Sequence, residues 1–164
     1  MFTNSNLILW LSLFPLTYIA HLAEEYWAGG GYSNYLFRRY SVELSPRWFM
    51  ALQSVGLFLM IAGAALAILL RFPVTMLAML SAIVLGNSLI HIVRSVSDRT
   101  YTPGLVTAVT LWLPLVILTL KEIWPASSTG KLLFALSVGL IANYVVELIT
   151  FRSTSRTNVS RRYP

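Results

Sequence analysis

Five long apolar runs take up most of this chain, and they restrict the fold before any other feature is read. They cover residues 7–28, 48–70, 72–93, 103–120 and 132–151. Each is about 18–23 residues long, the length at which a helix crosses a hydrocarbon core of roughly 30 Å. Backbone polar groups have no water to bond there, so the runs must be helices that satisfy their own hydrogen bonds. The expectation is an all-α, polytopic membrane bundle of five transmembrane helices. The multi-pass domain spans residues 1–151, and a basic flexible tail follows at 152–164. The first run carries no positive charge ahead of it and is interrupted by Pro15, so it reads as a retained helix rather than a cleaved leader.

Composition supports this. Of 164 residues, 57% are hydrophobic and 11% charged, less than half the charged share of an ordinary soluble domain. The absence of cysteine excludes disulfides, thiolate nucleophiles and Fe–S clusters. The net charge of +6 would suggest nucleic acid in a soluble protein. Here the basic residues sit between and after apolar runs, so anionic membrane lipids are the expected partners and nucleic acid is not. Residues 29–46 form the one long connection. Its Tyr32, Tyr35, Phe37, Arg38, Arg39 and Tyr40 suit a segment at headgroup level.

The basic residues also orient the bundle. One side receives Arg38, Arg39, Arg47, Arg94, Arg99, Arg152, Arg156, Arg161 and Arg162, and the other Arg71, Lys121 and Lys131. Nine against three places the N-terminus outside and the C-terminus in the cytoplasm of a cell (inner or plasma) membrane. Trp10, Trp27, Trp48, Trp112 and Trp124 read as interfacial anchors. Gly56, Gly63, Ala64 and Ala67 read as helix-packing residues.

Against this apolar background, ionisable side chains within spans are costly and mark function. The first span carries His21, Glu24 and Glu25, the third Asn87, His91 and Arg94, and the fifth Asn143 and Glu147. His21 and Glu25, Asn87 and His91, and Asn143 and Glu147 are each four residues apart, on one helical face. Counting residues to the inner end of each helix puts them within roughly 5–12 Å of it, in one layer. Gln53, Ser54, Thr102 and Thr107 could join that layer. A polar chamber in the cytoplasmic leaflet follows.

Two histidines with carboxylates suit a divalent metal such as Zn, Fe or Mn. The candidate ligands are His21, Glu25, His91 and Glu147. Glu24, Glu25 and Asn87 are the candidate catalytic groups, and Arg94 and Asn143 would bind substrate. The leading expectation is a metal-assisted membrane enzyme, hydrolytic rather than oxidative, acting on a lipid or isoprenoid-like substrate. The same groups also allow a metal-free acid–base isomerase. A proton- or metal-coupled carrier is a third reading. The sequence leaves a homo-oligomer open.

These residues also form a pattern. His21-Leu22-Ala23-Glu24-Glu25, then Asn87-Ser88-Leu89-Ile90-His91, then Tyr101-Thr102-Pro103-Gly104 together resemble the HXXEE family of small bacterial and archaeal membrane proteins. The resemblance implies functional positions at His21, Glu24, Glu25, Asn87 and His91, and a proposed enzymatic activity without a defined substrate.

Overall fold

A computed structural model describes the backbone of residues 4–162 and the side chains of residues 6–149. Among the described residues the chain is helical and has no strand. Helix α1 covers Asn4–Trp27 and passes through Pro15. A short 3-10 turn, Ala28–Gly30, leads into α2, Tyr32–Tyr40. Helices α3, Pro46–Leu69, and α4, Pro73–Asp98, follow. Both start on a proline, which gives up no hydrogen bond at a first helical turn. Next comes α5, Leu105–Thr107, which runs through a π turn, Ala108–Trp112, into α6, Leu113–Ile123. Helix α7 is Thr129–Arg162. Of the tail expected at 152–164, only the backbone as far as Arg162 is described, and residues 163 and 164 lie outside the described residues.

Five helices are long and apolar enough to cross a membrane: Asn6–Gly30, Pro46–Leu69, Pro73–Asp98, Leu105–Ala126 and Thr129–Ile149. They match the five apolar runs to within six residues at either end. The protein is therefore an all-α bundle of multi-pass character. Its outer surface carries large apolar side chains such as Phe58, Leu59, Leu69, Ile117, Phe134 and Ile141, all more than half exposed. Such a belt suits hydrocarbon and would be a liability in water.

Short connections alternate the helices, so α1, α4 and α7 run one way and α3 and α5–α6 the other. Helix α4 is the most enclosed of the five and packs against α7, α6, α3 and α1. Leu11 and Phe14 of α1, Leu77, Leu80 and Val84 of α4, and Trp112 form the centre of the core.

The long connection folds more than its composition indicated. Tyr32, Tyr35 and Leu36, at helical spacing, are buried and turn α2 into a cap over one end of the bundle. Phe37, Arg38, Arg39 and Tyr40 stay exposed. The expectation for Trp112 needs correction. Trp27, Trp48 and Trp124 are about half exposed or more, whereas Trp112 is fully buried. The π turn aims it inward.

Candidate metal centre

Three of the candidate ligands meet beneath α2. His21 and Glu25 come from the same face of α1, and His91 comes from α4. Their exposures are 0%, 2% and 1%. His91 Nε2 lies 3.3 Å from Glu25 Oε1, and His21 Nε2 lies 3.6 Å from the same oxygen. One ligand atom from each residue falls within 4.8 Å of the others, so the group could hold a metal ion. Ligands about 2.0–2.2 Å from a tetrahedral ion stand roughly 3.3–3.6 Å apart. The two distances to Glu25 fall in that interval.

The hydrogen-bond network assigns the His21 tautomer. Glu24 accepts from Tyr101 Oη at 2.5 Å, the Val106 amide at 2.9 Å, the Thr107 amide at 2.7 Å and the Thr107 hydroxyl at 2.6 Å. The Thr107 hydroxyl has one proton, and Glu24 takes it. Its oxygen lies 2.7 Å from His21 Nδ1, so it must accept from Nδ1–H. His21 therefore presents an unprotonated Nε2 toward Glu25 Oε1. Two lone-pair atoms facing each other in a buried space repel unless a cation or a proton lies between them. A histidine whose second nitrogen is held by an outer carboxylate network is the usual arrangement around metal ligands.

Glu25 is oriented from its other oxygen. Gln53 Nε2 donates to Oε2 at 3.0 Å, and Tyr18 Oη donates to Gln53 Oε1 at 2.5 Å. This leaves Oε1 for the histidines. Asn87 Nδ2 donates to the same His21 Nε2 from α4 at 3.3 Å, a contact that an ion at this nitrogen would displace. Among the described residues, the buried His91 Nδ1 has no hydrogen-bond partner.

The π turn explains how α5 and α6 serve His21. Pro114 has no N–H to return to the carbonyl at Thr110, which loosens the turn before it. In a π turn, residues five apart align, whereas in an α-helix they diverge. Thr107 and Trp112 are five apart, and both reach His21. Thr107 bonds its Nδ1, and Trp112 stacks on the ring with centroids 3.7 Å apart at 28°. Gly104 closes the remaining side. It has φ of +99°, and an added Cβ would lie 2.6 Å from His91 Cε1 and 2.8 Å from His21 Cε1.

Not every candidate joins the group. The carboxylate of Glu147 pairs with Arg94 Nη2 at 3.1 Å instead of completing a four-residue ligand set. Depth along a helix placed Glu147 near the histidines, but Arg94, one turn beyond His91, captures it first. Arg94 also donates to Tyr32 Oη, so it ties α2 to α4 and α7. Asn143 packs against α4 at Gly86, where a Cβ would approach its Nδ2 to 2.8 Å. Glu24 has four donors around it and acts as an anchor for α5. Tyr101, outside the spans, has its phenol pushed up by burial and by the Glu24 carboxylate, so it remains the donor in that contact.

Sequence spacing pointed to Gln53 and Thr107 as members of the layer without giving their partners. Tyr18 and Trp112 were not expected to reach the site at all. Their contacts cross between helices, and no spacing within one helix encodes them.

A sequence profile for proteins of unknown function with an HXXEE motif matches residues 12–119. No curated protein and no solved structure matches the chain. His21, Glu24, Glu25, Asn87 and His91 all lie in the matched region, as do Gln53, Gly104, Thr107 and Trp112.

Proposed function

The chain belongs to the HXXEE-motif family, and from that premise we propose that it is a membrane enzyme in which His21, Glu25 and His91 hold a divalent metal. The observation that carries this reading is the convergence of two imidazole nitrogens on one carboxylate oxygen in a space closed to solvent. A His₂Glu set suits zinc, with iron and manganese as the alternatives. Such an ion supplies Lewis-acid polarisation of an ester or phosphoester oxygen, which favours hydrolysis over oxidation.

The protein groups divide the remaining work. Glu24, through Thr107, keeps His21 in the tautomer that exposes Nε2. Gln53 and Tyr18 turn Glu25. Asn87, whose amide donates to His21 Nε2, would turn to a substrate oxygen once an ion takes that lone pair. A cavity of about 220 Å³ between α1, α2 and the start of α3 reaches Glu25, with Gly31, Tyr32 and Phe49 among its walls. This entrance lies at headgroup level, which suits a lipid or isoprenoid-like substrate whose polar end enters from the membrane face. With the Arg-rich end in the cytoplasm, the chemistry would take place in the inner leaflet.

The test is metal analysis of purified protein, with zinc titration, beside a His21→Ala, His91→Ala double variant. The expected result is one tightly held ion in the wild type and none in the variant. Negligible metal and no zinc affinity in either would refute the metal centre.

One observation favours a second reading. The 3.3 Å contact lets His91 Nε2–H donate to Glu25, leaving Nδ1 as a buried lone pair with no partner among the described residues. That is an acid–base pair suited to moving a proton on a lipid-like substrate without metal. Turnover that survives exhaustive chelation would select it.

A further inference from the structure

A second cavity, of about 380 Å³, lies at the same Arg-rich end of the bundle. Gly29 lines it, whereas Gly30 and Gly31 line the entrance to Glu25, so the glycine turn stands between the two. Arg38, Arg39, Asp98, Thr100 and Tyr101 form much of its wall. Its size is in the range of small-ligand sites, about 300–1,000 Å³.

Its charges do not balance. Among the described residues, Asp98 is the only acidic one in the wall, and both its oxygens are engaged. Oδ1 takes Arg39 Nε at 2.9 Å, and Oδ2 takes Tyr35 Oη at 2.5 Å and Tyr40 Oη at 2.7 Å. Asp98 and Arg39 therefore cancel. Arg38 makes one hydrogen bond among the described residues, from Nη2 to the Gly29 carbonyl at 2.9 Å. That partner is neutral. Arg38 thus brings an uncompensated positive charge and free guanidinium donors to a concave, hydroxyl-bearing site. A guanidinium fork matches the paired oxygens of a phosphate. Phe37 and Tyr40, exposed on the same helix, are side chains that settle at the lipid headgroup boundary.

We propose that this cavity binds the phosphate group of an anionic amphiphile, with Arg38 as its principal donor. The site needs no metal at His21 and is independent of the reaction proposed there. Tyr101 connects the two regions, since it lines the cavity and its hydroxyl holds Glu24. A phosphate could come from a lipid headgroup or from a soluble phosphate compound.

The experiment uses the full chain in neutral detergent. Native mass spectrometry compares binding of phosphatidylglycerol with that of diacylglycerol carrying the same acyl chains, and thermal unfolding is followed with inorganic phosphate alone. The expected result is binding of phosphatidylglycerol only. Arg38→Gln should weaken it by about tenfold or more, the scale of losing a charge-assisted contact. Arg47→Gln removes the same charge from an exposed position at the same end, outside the cavity wall, and should change binding by less than about twofold. Arg38→Lys should fall between, since it keeps the charge and loses the fork. Stabilisation by inorganic phosphate that depends on Arg38 would assign the site to soluble phosphates, and phosphatidylglycerol binding without it would assign a lipid. Equal losses in Arg38→Gln and Arg47→Gln would reduce the effect to diffuse attraction and overturn the proposal. Unchanged binding in Arg38→Gln would also overturn it.

Discussion

Replacing Thr107 by valine tests the network around His21 with almost no change in shape. The hydroxyl joins two partners, accepting from His21 Nδ1 at 2.7 Å and donating to Glu24 at 2.6 Å. A methyl in its place leaves the Nδ1–H of a fully buried ring unpaired. An unsatisfied buried donor costs about 1–3 kcal/mol. Glu24 keeps three of its donors, Tyr101 Oη and the amides of Val106 and Thr107, so α5 should stay anchored. Relief is available if the His21 proton moves to Nε2, but that removes the lone pair a metal needs. Zinc affinity should then fall about 10–100-fold, the usual effect of losing a partner behind a ligand. The assay is zinc titration against a competing chelator, run beside thermal unfolding of the apoprotein. Thr107→Ser restores the hydroxyl and should restore most of the affinity. If Thr107→Val binds zinc as tightly as the wild type, the tautomer argument fails and the Glu24–Thr107–His21 chain is only an anchor for α5.

Other perturbations separate further parts of the reasoning. Gly104→Ala combines a left-handed backbone, worth about 1–2 kcal/mol against a side chain, with a Cβ pressed into both imidazole rings. It should lower the unfolding temperature and abolish metal binding, whereas Gly130→Ala, with open space around it, should do neither. Glu147→Gln should keep zinc affinity within about threefold while lowering stability by about 1–2 kcal/mol through the weakened, partly exposed Arg94 pair, and Glu25→Gln should lose the metal. Tyr32, Tyr40 and Tyr101 have phenols raised above their ordinary value of 10.0, chiefly by burial. A raised folded-state value means stability is intact below pH 10 and lost as pH climbs beyond it. Phenolate absorbance should therefore appear late, together with unfolding.

The spans were legible because hydropathy and length act along the chain, and neither depends on which helix packs against which. The pairing of His21 with Glu25 was legible for a similar reason, since four residues on a helix is a local relation. His91 joined them because helices α1 and α4 run the same way and place their polar residues at one depth. Depth, however, leaves rotation about each helix free. Glu147 shares the layer but meets Arg94, and Asn143 meets the backbone at Gly86. The roles of Tyr18, Gln53 and Trp112 depend on helix neighbours that hydropathy does not order. The short α2 escaped notice as a helix because its nine residues are polar on balance, and its stability comes from burying Tyr32, Tyr35 and Leu36 on the bundle.

The π turn at Ala108–Trp112 holds one residue more than an α-helical turn with the same ends, so the site responds differently to the gain and the loss of a residue there. A span can lose one residue and still cross the bilayer, and most substitutions on its lipid face are tolerated. Deleting one residue among 108–111 would leave the tryptophan four positions after Thr107 on an ordinary α-helix, still on the face toward His21, whereas inserting one there would rotate it away by roughly 100°. Either change should leave membrane insertion nearly unaffected, and only the added residue should remove the ring over His21. A one-codon deletion in this stretch can therefore spare the site, whereas a one-codon insertion can silence it with every motif residue in place.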